Sequence, residues 1–204
     1  MRAERLSGGI ALAALALLLA MPTPAAPRDY AIDPLHTRIV FAIDHLGFSE
    51  ALGTFSGPVG RLRFDPEDWR SAEVDVEIPV QRLDLGDEKW NARMLRRDFL
   101  DAGRHPVARF RSTEVIPQGE DRARVIGLLD LRGVQREVSL DVRLNKLGRN
   151  PLTLRRTVGF SASATLRRSD FGLRAQADTV GDVVTLTLQV EATASRRAAD
   201  SESP

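Results

Sequence analysis

Asp182-Val-Val-Thr-Leu-Thr-Leu-Gln-Val-Glu191 puts Val184, Leu186, Leu188 and Val190 on one side of an extended chain and Thr185, Thr187 and Gln189 on the other. Successive side chains of a strand point to opposite faces, so strict alternation marks a strand with one dry face and one wet face. Three more stretches repeat the pattern. Glu73–Val80 alternates charge with branched apolar residues, Glu137–Leu144 aligns Val138, Leu140, Val142 and Leu144, and Thr157–Leu166 aligns Val158, Phe160, Ala162, Ala164 and Leu166. Weaker strand patterns run over Arg38–Asp44, Gly60–Phe64, Val107–Val115 and Arg122–Leu131, giving about eight strands. Gly133 sits between two of the strong patterns as in a tight hairpin, while Gly148–Pro151 and Asp65–Asp68 read as turns. Only Asp87–Arg97 looks helical, with acids at its start, arginines at its end and no Gly or Pro within. A parallel sheet needs helical crossovers, so this sheet is antiparallel and forms a barrel or a sandwich.

The inward residues favour the barrel. Most are small or medium, with phenylalanine at positions 41, 55, 64, 110 and 160, and Gly159, Ala162 and Ala164 leave space within one strand. A sandwich fills a gap of roughly 10 Å with bulkier side chains. An eight-stranded barrel either fills with side chains or holds one small ligand.

The 204 residues suit one domain, and 43% hydrophobic content argues against a disordered chain. There is no cysteine, which removes disulfides, thiolate metal sites and cysteine nucleophiles. Met1–Arg5 carries Arg2 and Arg5, Ile10–Ala20 is uninterrupted apolar sequence, and Pro22-Thr-Pro-Ala-Ala26 follows. A basic start, an apolar run of about a dozen residues and a small-residue exit fit a signal peptide over residues 1–25, hence export. Such a run is short of the roughly 20 residues that cross a bilayer. Its removal takes Arg2, Glu4 and Arg5 and leaves basic and acidic side chains equal in number. Net zero charge and export exclude a nucleic-acid partner held by bulk electrostatics. Ser195–Pro204 is small and polar and reads as a flexible tail.

Nothing in the chain specifies a reaction. The chain lacks a Gly-x-Ser-x-Gly motif, and Ser139, Ser161 and Ser163 fall at outward positions of strands. Asp84 and Asp87 lie in a polar loop. His36 and His45 stand at opposite ends of one strand, roughly 30 Å apart when extended, so they share no metal, and His105 precedes Pro106 in a loop. The reading therefore assigns no catalytic residue, no metal and no cofactor.

Tyr30-Ala-Ile-Asp33, His36-Thr37, Phe41, His45 and Gly53-Thr-Phe55 follow one another in an order that resembles the YceI-like family of bacterial periplasmic polyisoprenoid-binding proteins. The resemblance continues with Gly57, Leu83–Leu95, Phe99-Leu-Asp101, Pro106, Phe110 and Ser112. Arg168-Ser-Asp-Phe-Gly-Leu173 and Asp182-Val-Val184 complete it, so that it spans residues 29–194. It implies an all-β, lipocalin-like eight-stranded antiparallel barrel with one short helical segment, enclosing an apolar tunnel for an isoprenoid or another long-chain amphiphile such as a prenyl phosphate, a quinone or a fatty amide. The tunnel wall would then draw on Ile39, Phe41, Ile43, Phe55, Val76, Ile78, Phe110, Phe160, Ala162, Leu186 and Leu188, and a polar head group on His36, His45, Arg93 and Asp170. Many members have a His-Leu pair where this chain has Met94-Leu95, a departure that concerns the head group. The implied partners are a polyisoprenoid or other lipid, with transient membrane contact and a homodimer as further expectations. Two other readings stand beside the carrier. One is a hydrolase or isomerase of a small amphiphile with His36 or His45 as base. The other is a stress-response barrel with a filled core.

Overall fold

The computed structural model describes residues 27–195. The signal peptide expected over residues 1–25 lies outside the described residues, as does all of the expected tail but Ser195. Eleven strands form in chain order: β1 (Arg28–Ile32), β2 (Arg38–His45), β3 (Ser49–Ser56), β4 (Val59–Phe64), β5 (Glu73–Pro79), β6 (Leu83–Asp84), β7 (Val107–Pro117), β8 (Arg122–Leu131), β9 (Val134–Arg149), β10 (Arg156–Arg167) and β11 (Val180–Ala194). Among the described residues one α-helix, α1 (Glu88–Met94), lies between β6 and β7.

Every pairing is antiparallel, and β1–β4–β5–β7–β8–β9–β10–β11–β1 closes an eight-stranded ring. The strand β11 has two partners on the same edge. Its last residues, Ala192–Ala194, pair with β1, while Val180 and Val184–Gln189 pair with β2. Thus β1 and β2 lie end to end, as do β4 and β3, which pair with them. The turn Val80–Arg82 likewise interrupts the passage from β5 to β6. Three adjoining staves of the barrel are therefore broken, at Asp33–Thr37, at Gly57-Pro58 and at Val80–Arg82. Pro58 has no N–H to give to a ladder, which suits it to such a break.

The alternating stretches fall inside β5, β9, β10 and β11, and the closed antiparallel barrel has the class the sequence indicates. Between β8 and β9 the hairpin loop is Arg132-Gly133, both at positive φ (56° and 72°), the conformation that matches the twist of two-residue hairpins. Strand β3 was hidden because Gly53 and polar residues interrupt its apolar alternation. The helix stops at Met94, short of the Arg97 that composition suggests. There the chain folds back, and the amides of Leu100, Ala102 and Asp101 donate to the carbonyls of Met94, Leu95 and Arg96, which a longer helix would have used itself.

The ring half of the barrel is filled. Tyr30, Phe64, Val158, Ala192 and the Trp69 ring are buried there. Phe64, Trp69 and Phe160 meet edge to face, with centroids 5.0, 5.2 and 6.1 Å apart and interplanar angles of 84–87°. Such pairs add about 0.5–1.5 kcal/mol beyond area burial. Phe160→Ala removes two of these three contacts and leaves a void. It is expected to destabilise the fold by about 3–5 kcal/mol, read as a lower urea midpoint at unchanged slope.

Candidate functional site

Above the aromatic floor the barrel is hollow. A cavity of about 430 Å³ runs between β2, β3, α1 and the start of β11, within the roughly 300–1,000 Å³ of small-molecule sites. Ile39, Phe41 and Ile43 of β2, Ala51 and Phe55 of β3, Ile78, Val80, Leu83, Leu85, Leu129, Leu131, Val184 and Leu186 form its wall. Its polar members are Asp44, His45, Arg93, Arg168 and Gln176.

Local bonding sets this wall. Asp87 caps α1 by accepting from the amides of Lys89 and Trp90, and Asn91 Oδ1 accepts from the Leu85 amide at 2.7 Å. The Gly86 amide, then the Asn91 side chain, hold the Asp84 carboxyl below the usual carboxylate range. These bonds fasten α1 to β6 and turn Trp90, Arg93 and Met94 toward the cavity. A side chain at Gly53 would place its Cβ 2.3 Å from Phe41 Cζ and 2.7 Å from Leu85 Cδ2. Glycine there lets both side chains lie across the strand.

The structure separates the residues that the sequence grouped. Ile39, Phe41, Ile43, Phe55, Ile78 and Leu186 lie on the cavity wall, as do His45 and Arg93. Val76, Phe110, Phe160, Ala162 and Leu188 do not. Phe110 and Phe160 are buried in the filled half with Val76 against them, Ala162 is buried, and Leu188 stands in register between Ala162 and Ile39. Alternation tells which face a residue takes but carries nothing about its height along the barrel. Asp170 is exposed on the turn Arg168–Phe171, off the cavity wall. Arg93 pairs with Asp98 at 2.9 Å and lies over the Phe99 ring, so its charge is already answered.

His36 faces a different place, a polar hollow of about 270 Å³ on the outer side of β9–β11. Its Nδ1 lies 2.9 Å from Asp33 Oδ2, and the other Asp33 oxygen accepts from the Leu35 and His36 amides. Burial pulls the Asp33 carboxyl up, but the His36 ring and the two amides outweigh it and hold it low. The Asp33 hydrogen bond in turn raises His36 above its ordinary 6.5. Asp33, His36 and Glu191 bring their ligand atoms within 4.8 Å of one another. A general base in the cavity needs an imidazole there and a carboxylate to orient it. Here those attributes are divided: His45 lines the cavity beside Trp90, while the imidazole bonded to a carboxylate is His36, outside it.

Sequence reasoning missed Arg168. It is buried, lines the cavity, and donates to the carbonyls of Leu173, Ala175, Val180 and Gly181. It thereby folds the 172–181 connection over one side of the hollow. Asp182 braces the same turn by accepting from the Ser169 amide and hydroxyl, both at 2.9 Å. The amide, with the hydroxyl and Arg167, holds the Asp182 carboxyl low against the opposing pull of burial. The signal available was the Arg168–Leu173 segment itself, whose arginine looks like one more surface charge in a chain rich in them.

The profile of the YceI-like domain family matches residues 30–192. A UPF0312 protein of Pseudomonas paraeruginosa is 37% identical over 184 residues, covering 88% of this chain and 95% of that relative. A UPF0312 protein of Vibrio cholerae is 30% identical over 162 residues, or 78% and 85%. Among solved structures, Burkholderia cenocepacia BcnA superposes with a TM-score of 0.71 at 22% identity, covering 78% of this chain and 98% of its own. A polyisoprenoid binding domain from Saccharophagus degradans superposes with a TM-score of 0.61 at 17% identity, covering 81% and 98%.

The Asp33–His36 pair gives a pH signature. Because the folded pKa of His36 is raised, its contribution to stability is present below about 6.5 and fades as pH rises through the raised midpoint. In an NMR titration His36 is expected to show a midpoint above 6.5, falling back in Asp33→Asn. Equal midpoints in the two proteins would contradict the pairing.

Proposed function

Since this chain belongs to the YceI-like domain family, we propose that it is a periplasmic carrier that holds a long isoprenoid, or a related amphiphile such as a prenyl phosphate, quinone or fatty amide, in the hollow of its barrel. The observation that carries this reading is the apolar cavity of about 430 Å³, whose wall is built mainly of aliphatic and phenylalanine side chains. Each methylene moved from water to such a wall contributes roughly 0.8 kcal/mol, so one five-carbon unit contributes roughly 4 kcal/mol before ordering costs. Binding of this kind needs no catalytic group. A filled stress-response barrel would have no room of this size. The solved polyisoprenoid binding domain with the same fold supports the choice of ligand class.

The reading includes transport. The segment 1–25 would export the chain, and a polar head would remain near the mouth, where His45 and Gln176 stand among the lining residues. Transient membrane contact belongs to it, because a long isoprenoid has to leave a bilayer to reach the cavity. A homodimer is also part of the proposal.

Native mass spectrometry of the mature protein isolated from its own periplasm reads the ligand and the oligomeric state together. A stoichiometric lipid of isoprenoid mass, released by solvent, is the expected result. An apo mass that prenyl phosphates and quinones leave unchanged would overturn the carrier reading. Ala51→Trp places an indole in the hollow from a half-buried position. It is expected to lower the bound fraction at least tenfold while costing at most about 3 kcal/mol of stability.

A further inference from the structure

The mouth of the cavity carries apolar side chains for which the fold has no use. Leu46-Gly47-Phe48 is the apex of the β2–β3 hairpin, where Phe48 is 90% exposed and Leu46 51%. Gly47 at φ 71° answers the geometry of the turn. Nothing in that geometry asks for leucine and phenylalanine, since hairpin apices in water are usually Asn, Asp or Gly. Across the mouth stands Trp90 of α1, 50% exposed, with its ring centroid 6.4 Å from that of His45. Both rings line the cavity, so its wall continues through Trp90 onto the exposed rim. The barrel wall is also open beside the hairpin: β3 pairs with β2 along its length, but on its other edge only Thr54 and Phe55 find a strand partner.

We propose that Leu46, Phe48 and Trp90 form a lip that enters the surface of a lipid bilayer, so that the ligand passes between membrane and cavity without crossing water. This rests on the carrier reading above, because a long isoprenoid resides in a bilayer. The shape of the patch favours a bilayer over a protein partner. Its side chains project from a narrow hairpin apex and a short helix, which suits shallow insertion, and a half-exposed tryptophan is at home at a membrane interface. Asp44 and Glu50 flank the apex and offset Lys89 on α1, so insertion of apolar side chains drives the contact rather than attraction to anionic lipid. Binding to membranes therefore persists when salt screens the surface charges.

The opposite end of the barrel supplies a control. The turn between β9 and β10 also bears an exposed leucine, Leu152 at 92%, with Leu154 beside it, but it lies at the filled end and lines no part of the apolar cavity. The mature protein is mixed with vesicles of phosphatidylethanolamine and phosphatidylglycerol, three to one, and followed by flotation and tryptophan emission. The chain has two tryptophans, and Trp69 is buried, so a blue shift reports Trp90. The wild type and L152D/L154D are expected to float with the vesicles at low and high salt and to shift blue. L46D/F48D is expected to bind at least fivefold less. It should also draw a dansyl-labelled prenyl phosphate from vesicles at least fivefold more slowly, yet take up the same probe from detergent as the wild type does. A wild type that loads from detergent but neither floats nor loads from vesicles overturns the lip and leaves the carrier standing. A wild type that floats through this lip but takes no probe from either source keeps the lip and sinks the carrier. Equal loss in L152D/L154D, or a dimer sensitive to L46D/F48D without flotation, overturns the lip in favour of general stickiness or a second copy of the chain.

Discussion

Closure of the barrel depends on how β11 changes partner. Thr37 is buried in the break between β1 and β2, its hydroxyl donating to the Glu191 carbonyl and accepting from the Glu191 amide, each at 3.2 Å. The Asp33 amide donates to the same carbonyl at 2.8 Å. Without the Thr37 hydroxyl the Glu191 amide would lose this partner in the wall, and an unmade buried bond costs more than a made one gains. With Thr37 in place the ladder continues across the break, from the β1 pairing at Ala192 to the β2 pairing at Gln189. The wall can then bend without opening.

That bend separates two interiors with different physics. Below it Phe64, Trp69 and Phe160 fill the ring edge to face and make a floor. Above it β2 and β3 continue the wall with Ile39, Phe41, Ile43, Ala51 and Phe55 facing inward, and no aromatic trio closes the space. The residues of this upper wall are only partly buried, whereas Tyr30, Phe64 and Val158 below are fully buried. A native interior of this size would normally be packed to crystal-like density. Leaving half of the barrel unfilled forgoes dispersion contacts that the lower half keeps, and a guest in the hollow restores them.

The sequence carried the class of the fold well, because period-two alternation in β5, β9, β10 and β11 depends only on which face of a sheet is wet. It carried the site less evenly. Ile39, Phe41, Ile43, Phe55, Ile78 and Leu186 face the hollow, while Phe110 and Phe160 have the same inward sense and serve as core. Inward sense is a local property. Height along the barrel depends on where Trp69 folds under the ring and where three staves break, which no window of sequence contains. Arg168 shows the same limit from the polar side: its partners are carbonyls five to thirteen residues away, two in an irregular connection and two at the start of β11.

The distribution of charge follows the joints of the scaffold. The carboxylates held low are Asp33, Asp75, Asp84 and Asp182, and each is engaged in holding architecture: a turn to an imidazole, β5 to β7 through Arg109, β6 to α1, and the Ser169 turn to β11. None of them lines the cavity. Perturbed titratable groups gather at catalytic sites because reactions need protons moved at neutral pH. Here they gather at the joints of the scaffold, and the wall of the hollow is mainly aliphatic and aromatic. An apolar wall of this kind suits the guest proposed above, because water leaves both surfaces when they meet.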